Sequence, residues 1–167
     1  MDLKIIKGSV VYADCDAIVN AANDGLREGG GVCGAIFSKA RGRLTEECKA
    51  IGGCKTGHAV MTNGYGLTAR HIIHAVGPIY HSDNDAPLLS SAYYNSLVLA
   101  DTNDLKSIAF CSISTGIYGY PLDKAAVIAL NTILNFKPKS LAECYIYCFN
   151  DKEYDVYLNA LKEIKGE

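Results

Sequence analysis

The stretch Ala17–Phe37, AIVNAANDGLREGGGVCGAIF, decides the fold of this chain. Ala17-Ile18-Val19 is a short apolar run with the character of a buried strand. The chain then passes through Asn20 and Asn23 into Gly29-Gly30-Gly31, and Val32-Cys33-Gly34-Ala35-Ile36-Phe37 opens a helix of small and apolar residues. Strand, polar turn, glycine loop and helix N-terminus together suit a phosphate. Glycines admit close approach, unpaired N–H groups point outward, and the helix dipole favours negative charge.

A second loop of the same kind lies downstream. Ser107–Ser112 (SIAFCS) reads as another buried strand, and Ile113-Ser114-Thr115-Gly116-Ile117-Tyr118-Gly119-Tyr120-Pro121 leads from it into a helix. Two such loops at the ends of two strands can grip both sides of a diphosphate.

Around these loops, strands and helices alternate. Leu3–Lys7, His58–Met61, His71–Val76 and Glu143–Phe149 read as further strands, with Asn63–Gly66 as the turn between the second and third of these. Helices are expected over Cys33–Arg41, Arg43–Ile51, Leu88–Ala100 and Asp151–Lys165, and Tyr80–Ala86 is expected to be irregular. The clearest helix follows Pro121: Leu122, Ala125, Ala126, Ala129, Leu130, Ile133 and Leu134 recur at the spacing of one buried face, with Pro138 beyond its end. Alternation of this kind implies an α/β fold, a three-layer α/β/α sandwich around a mixed, largely parallel sheet. The 167 residues suit one domain.

Composition narrows the function. A formal charge of −2 gives no broad basic field, which argues against nucleic acid as partner. No apolar run approaches the ~20 residues of a membrane span, and the N-terminus lacks a signal segment, so a cytoplasmic location is expected. Seven cysteines at irregular spacing then read as reduced thiols. Cys48, Cys54 and His58 form no recognisable zinc pattern, so neither metal nor cofactor is expected.

The segments DAIVNAAN (Asp16–Asn23), GGGVCGAI (Gly29–Ile36), GGCKTGHAVMTNGY (Gly52–Tyr65), IIHAVGP (Ile72–Pro78) and SISTGIYGYP (Ser112–Pro121) resemble the macrodomain family, in its MacroD-type branch. The resemblance runs in register over nearly the whole chain. It implies a cleft for ADP-ribose at one end of the sheet. By matching position, Asn23 would bond the hydroxyls of the distal ribose. Backbone N–H groups of Gly29, Gly30, Gly31, Val32 and Cys33, and of Ser114, Thr115, Gly116, Ile117 and Tyr118, would cradle the two phosphates. Gly116 would leave room for the pyrophosphate, and Tyr118 would pack on the distal ribose. Ser9, Val10, Phe149, Asn150 and Tyr154 would line the adenine and its ribose. Ser9 stands where the family usually has an aspartate for the adenine amino group, and a hydroxyl accepts that bond less strongly.

The implied activity is hydrolysis of the ester joining ADP-ribose to acidic side chains, or of O-acetyl-ADP-ribose, with Asn23, Cys33, Gly116 and Tyr118 at the reacting end. Hydrolases of this branch usually carry aspartate at the position of Cys33 and histidine at that of Phe37. A thiolate at the helix N-terminus is one reading of Cys33, and a small residue shaping the loop is the other. The second is preferred because alphavirus macrodomains have a similar GVC segment, with the substrate's phosphate helping to activate water. Turnover is therefore expected to survive Cys33→Ala. His74, within a buried strand, is read as structural. The alternative function is a reader that binds ADP-ribose or mono-ADP-ribosylated proteins without cleavage.

Overall fold

A computed structural model of the chain describes residues 1–40 and 42–167, so the expected helix end at Arg41 lies outside the described residues. The strands are β1 (Asp2–Lys7), β2 (Ala17–Ala22), β3 (Ala59–Asn63), β4 (His71–Val76), β5 (Ser107–Phe110) and β6 (Glu143–Cys148). The helices are α1 (Gly31–Ala40), α2 (Gly42–Ile51), α3 (Asp85–Thr102), α4 (Leu122–Asn135) and α5 (Asp151–Lys165), with a 3-10 turn at Val10–Tyr12. One six-stranded sheet has the order β1-β6-β5-β2-β4-β3. Every neighbouring pair is parallel except β3 with β4, so the sheet is largely parallel, as the alternation implied, and mixed through that one pair.

The central strands are apolar because both faces are covered. In β2, Ala17, Ile18 and Val19 are fully buried, as are Ile72, Ile73 and Ala75 in β4. Helices α1 and α2 cover one face, where Phe37 packs against His74 with ring centroids 6.4 Å apart. Helices α3, α4 and α5 pack side by side on the other face, where Tyr93 meets Phe110 at 5.1 Å.

This arrangement opens a crevice. Strands β2 and β5 are parallel neighbours, yet the chain leaves β2 for α1 on one face and β5 for α4 on the other. The loops at their carboxyl ends therefore diverge, which is the place where open α/β sheets hold ligands.

Several expected boundaries moved by a residue or two, α1 beginning at Gly31 rather than Cys33 among them, and three others moved for local reasons. Helix α3 begins at Asp85 rather than Leu88, because Pro87 fits the first turn and the Asp85 carboxylate accepts the His81 N–H at 2.8 Å. The β3–β4 connection runs through residue 70 rather than closing at Gly66, because Leu67 and Ala69 turn inward and are buried. Strand β5 ends at Phe110, since Cys111 and Ser112 already belong to the following loop.

Candidate functional site

The first loop is organised by Asn23. Its Oδ1 accepts the Arg27 N–H at 2.8 Å, and its Nδ2 donates to the Arg27 carbonyl at 2.7 Å. A carboxamide has two donor hydrogens and two acceptor lone pairs, so this clamp fixes its orientation and leaves one of each for a ligand. The Arg27 carbonyl also accepts the Cys33 thiol at 3.6 Å. Behind Cys33, the Asn20 amide reaches the sulfur at 3.8 Å and His74 Nδ1 at 3.0 Å, and His74 Nε2 pairs with the Thr62 hydroxyl at 2.9 Å. A buried polar chain thus runs from β3 through β4 and β2 to the loop.

The loop then closes tightly on α1. A Cβ on Gly34 would stand 2.5 Å from the Gly29 carbonyl, so only glycine admits this approach. The N–H groups of Gly30, Gly31, Val32 and Cys33 have no acceptor among the described residues, as befits the first turn of a helix.

The second loop is held at its ends and free in its middle. The Tyr93 hydroxyl accepts the Ile113 N–H at 3.0 Å, and Tyr120 N–H returns to the Ser114 carbonyl at 2.9 Å. Thr115 Oγ1 donates to Ser112 Oγ at 2.9 Å, and Ser112 Oγ pairs with the Tyr157 hydroxyl at 2.7 Å. Between these anchors, five successive N–H groups, Ser114 to Tyr118, have no acceptor among the described residues. Ser114 takes φ +68°, which helps turn this run outward. At Gly116, φ is not positive and an added Cβ would meet nothing within 4 Å. The fold itself therefore does not require glycine there.

The two loops meet at Tyr118. Its half-buried phenol is pushed up by burial first, then by the Asp24 carboxylate and the Cys33 sulfur. Burial likewise pushes the Cys33 thiol up. That corrects the thiolate reading: Cys33 is 6% exposed, and desolvation outweighs the hydrogen bonds from the Asn20 amide and the Gly29 backbone. Burial pushes His74 down to about 4, and both its ring nitrogens are engaged. Its structural reading stands.

The remaining residues gather where β1 and β6 end. Lys7 and Cys148 are in register, and the Gly8 N–H donates to the Cys148 carbonyl at 2.8 Å. Ser9 Oγ accepts the Val11 N–H at 3.3 Å and caps the 3-10 turn, while Val10 is buried. Phe149 is 72% exposed. Asn150 Oδ1 accepts the Glu153 N–H at 2.9 Å and caps α5, and Glu153 accepts the Phe149 N–H at 3.1 Å. Tyr154 is half-buried against the core. All the sequence-derived site residues thus lie along the carboxyl edge of the sheet, in two clusters joined by the second loop. Two contributors were missed, Asp24 and the Arg27 carbonyl. Asp24 was legible as the residue after Asn23, whereas a backbone carbonyl leaves no mark in side-chain identity.

Comparison with known proteins accords with this arrangement. The Macro domain family matches residues 19–129. The O-acetyl-ADP-ribose deacetylase of Salmonella newport is 43% identical, with 96% of this chain and 94% of that protein covered. The ADP-ribose glycohydrolase MACROD2 of Xenopus laevis is 44% identical over 94% of this chain, which spans 39% of that longer protein. Among solved structures, a mutant of the Oceanobacillus iheyensis macrodomain with ADPR superposes at a TM-score of 0.94 and 36% identity, covering 99% of this chain and 94% of that one. By sequence match, fold and the placement of its two loops, the chain belongs to the Macro domain family.

Proposed function

We propose that this chain is a single macrodomain that binds ADP-ribose in the crevice. On this proposal it hydrolyses the ester linking ADP-ribose to an acidic side chain, to acetate in O-acetyl-ADP-ribose, or to both. The observation that carries the reading is the pair of free N–H runs, Gly30–Cys33 and Ser114–Tyr118, on the two sides of the β2/β5 divergence. From β1 to β2 is three inter-strand steps, about 14 Å, the scale of a nucleotide joined through a diphosphate to a second sugar. The relatives named as a deacetylase and a glycohydrolase, and the neighbour with ADPR, support the same ligand and a hydrolase.

In the reaction, the oriented Asn23 amide and Tyr118 hold the distal ribose while loop N–H groups stabilise the phosphates. Water adds across the ester: its oxygen completes one product, and the hydroxyl of ADP-ribose and a carboxylate result, with one proton released. Neither the Cys33 thiol nor His74 is suited to take that proton, given their burial and engaged partners. A phosphate oxygen of the substrate takes it instead. Asn23→Ala is expected to lower turnover by at least about a hundredfold, whereas Asp24→Asn retains it. Loss of turnover in Asp24→Asn with ADP-ribose affinity intact would transfer the base to that carboxylate.

The second reading, a reader of mono-ADP-ribosylated proteins in the cytoplasm, is favoured by one observation: at the position where hydrolases of this branch usually carry aspartate stands a buried, protonated thiol. Product formation at stoichiometric enzyme separates the two.

A further inference from the structure

Beside the reacting end of the crevice lies an open groove of about 630 Å³, walled by Asp24, Gly52, Gly53, Cys54, Lys55 and Thr56. It is tied to the first loop: the Cys54 N–H donates to the Asp24 carbonyl at 2.8 Å, one residue beyond Asn23. Gly52 and Gly53, at φ +89° and +143°, turn the chain out of α2 so that this segment lies against Asp24. The N–H groups of Gly53, Lys55 and Thr56 have no acceptor among the described residues, and the exposed Lys55 ammonium is in no ion pair among them.

We propose that this groove is the subsite for the peptide that carries the ADP-ribosyl group, and that Lys55 selects an acidic residue flanking the modified side chain. The inference rests on ADP-ribose occupying the crevice with its distal ribose at Asn23. The substituent on that ribose then leaves the crevice past Asp24 and enters the groove. An esterified side chain is neutral, so the Asp24 carboxylate does not repel it. The free N–H groups suit the carbonyl oxygens of an extended peptide. Lys55, one residue past Cys54, supplies the one uncompensated positive charge among the groove residues named, complementary to a flanking glutamate or aspartate.

The test is equilibrium binding of a mono-ADP-ribosylated peptide whose ester is replaced by a hydrolysis-resistant linkage, with acidic or with glutamine flanks. Free ADP-ribose serves as reference, and Lys55→Glu as the variant. The acidic peptide is expected to bind about tenfold more tightly than free ADP-ribose. Lys55→Glu should abolish the acidic peptide's advantage over the glutamine peptide and leave free ADP-ribose affinity unchanged, and added salt should shrink that advantage. Equal affinity for the two peptides, or an acidic-peptide advantage that survives Lys55→Glu, overturns the role of Lys55, and binding of both peptides no tighter than free ADP-ribose overturns the subsite, each leaving the ADP-ribose reading intact. Failure of free ADP-ribose to bind overturns both.

Discussion

At the scale of residues, the site is defined as much by backbone as by side chains. Gly116 illustrates this. Since a Cβ there meets no protein atom within 4 Å, Gly116→Val is expected to keep the melting temperature within about 2 °C, yet to weaken ADP-ribose binding by at least about a hundredfold in calorimetry. Equal losses of stability and binding would make Gly116 a folding residue. Cys33 acts through the same backbone. Its thiol donates to the Arg27 carbonyl that orients Asn23, so Cys33→Ala should lower kcat by less than about tenfold, and Cys33→Ser should recover most of that. A nucleophile would cost about 10⁴-fold or more in either variant, which a single-turnover assay distinguishes.

At the scale of elements, legibility followed locality. Helix α4 declares itself because periodicity and flanking prolines agree within one stretch, Pro121 before it and Pro138 beyond it, and α5 keeps its expected bounds. The start of α3 was hidden, because Asp85-Ala86-Pro87 has the composition of a turn, and the His81 N–H that the Asp85 carboxylate accepts at this helix start lies outside the stretch. Both loops at the β2/β5 divergence were legible as glycine-bearing strand exits. The clamp of Asn23 on Arg27 was not, since it depends on a turn closing over four residues. Nor was the role of Asp101, whose carboxylate accepts the N–H groups of Lys139, Ser140 and Leu141 between 2.8 and 3.1 Å and fixes the entry to β6. Asp101→Ala strands those donors. It should cost about 3 kcal/mol in urea unfolding and leave ADP-ribose affinity unchanged, because it lies at the opposite end of β6 from Phe149 and Asn150.

At the scale of the whole molecule, the divergence of β2 and β5 makes the crevice, and the buried chain Thr62–His74–Asn20–Cys33 joins the sheet to one wall of it. That chain has a pH signature. Burial holds His74 near 4 in the folded state, against 6.5 for a free imidazole. Between those values the unfolded chain takes up a proton that the folded chain does not. Stability is therefore full above about 6.5 and falls as pH drops toward 4, by up to about 3 kcal/mol. Denaturation at pH 7 and pH 4.5 should show this loss, and His74→Gln should remove most of it.

On the proposed function, the crevice cleaves the ester it binds. Its most direct test is release of ADP-ribose from a glutamate-linked mono-ADP-ribosylated protein at stoichiometric enzyme, followed through one turnover. Release is expected within a single exponential phase and is expected to be lost in Asn23→Ala. Tight binding of the modified protein with the linkage left intact would contradict it, and would make the crevice a reader's pocket.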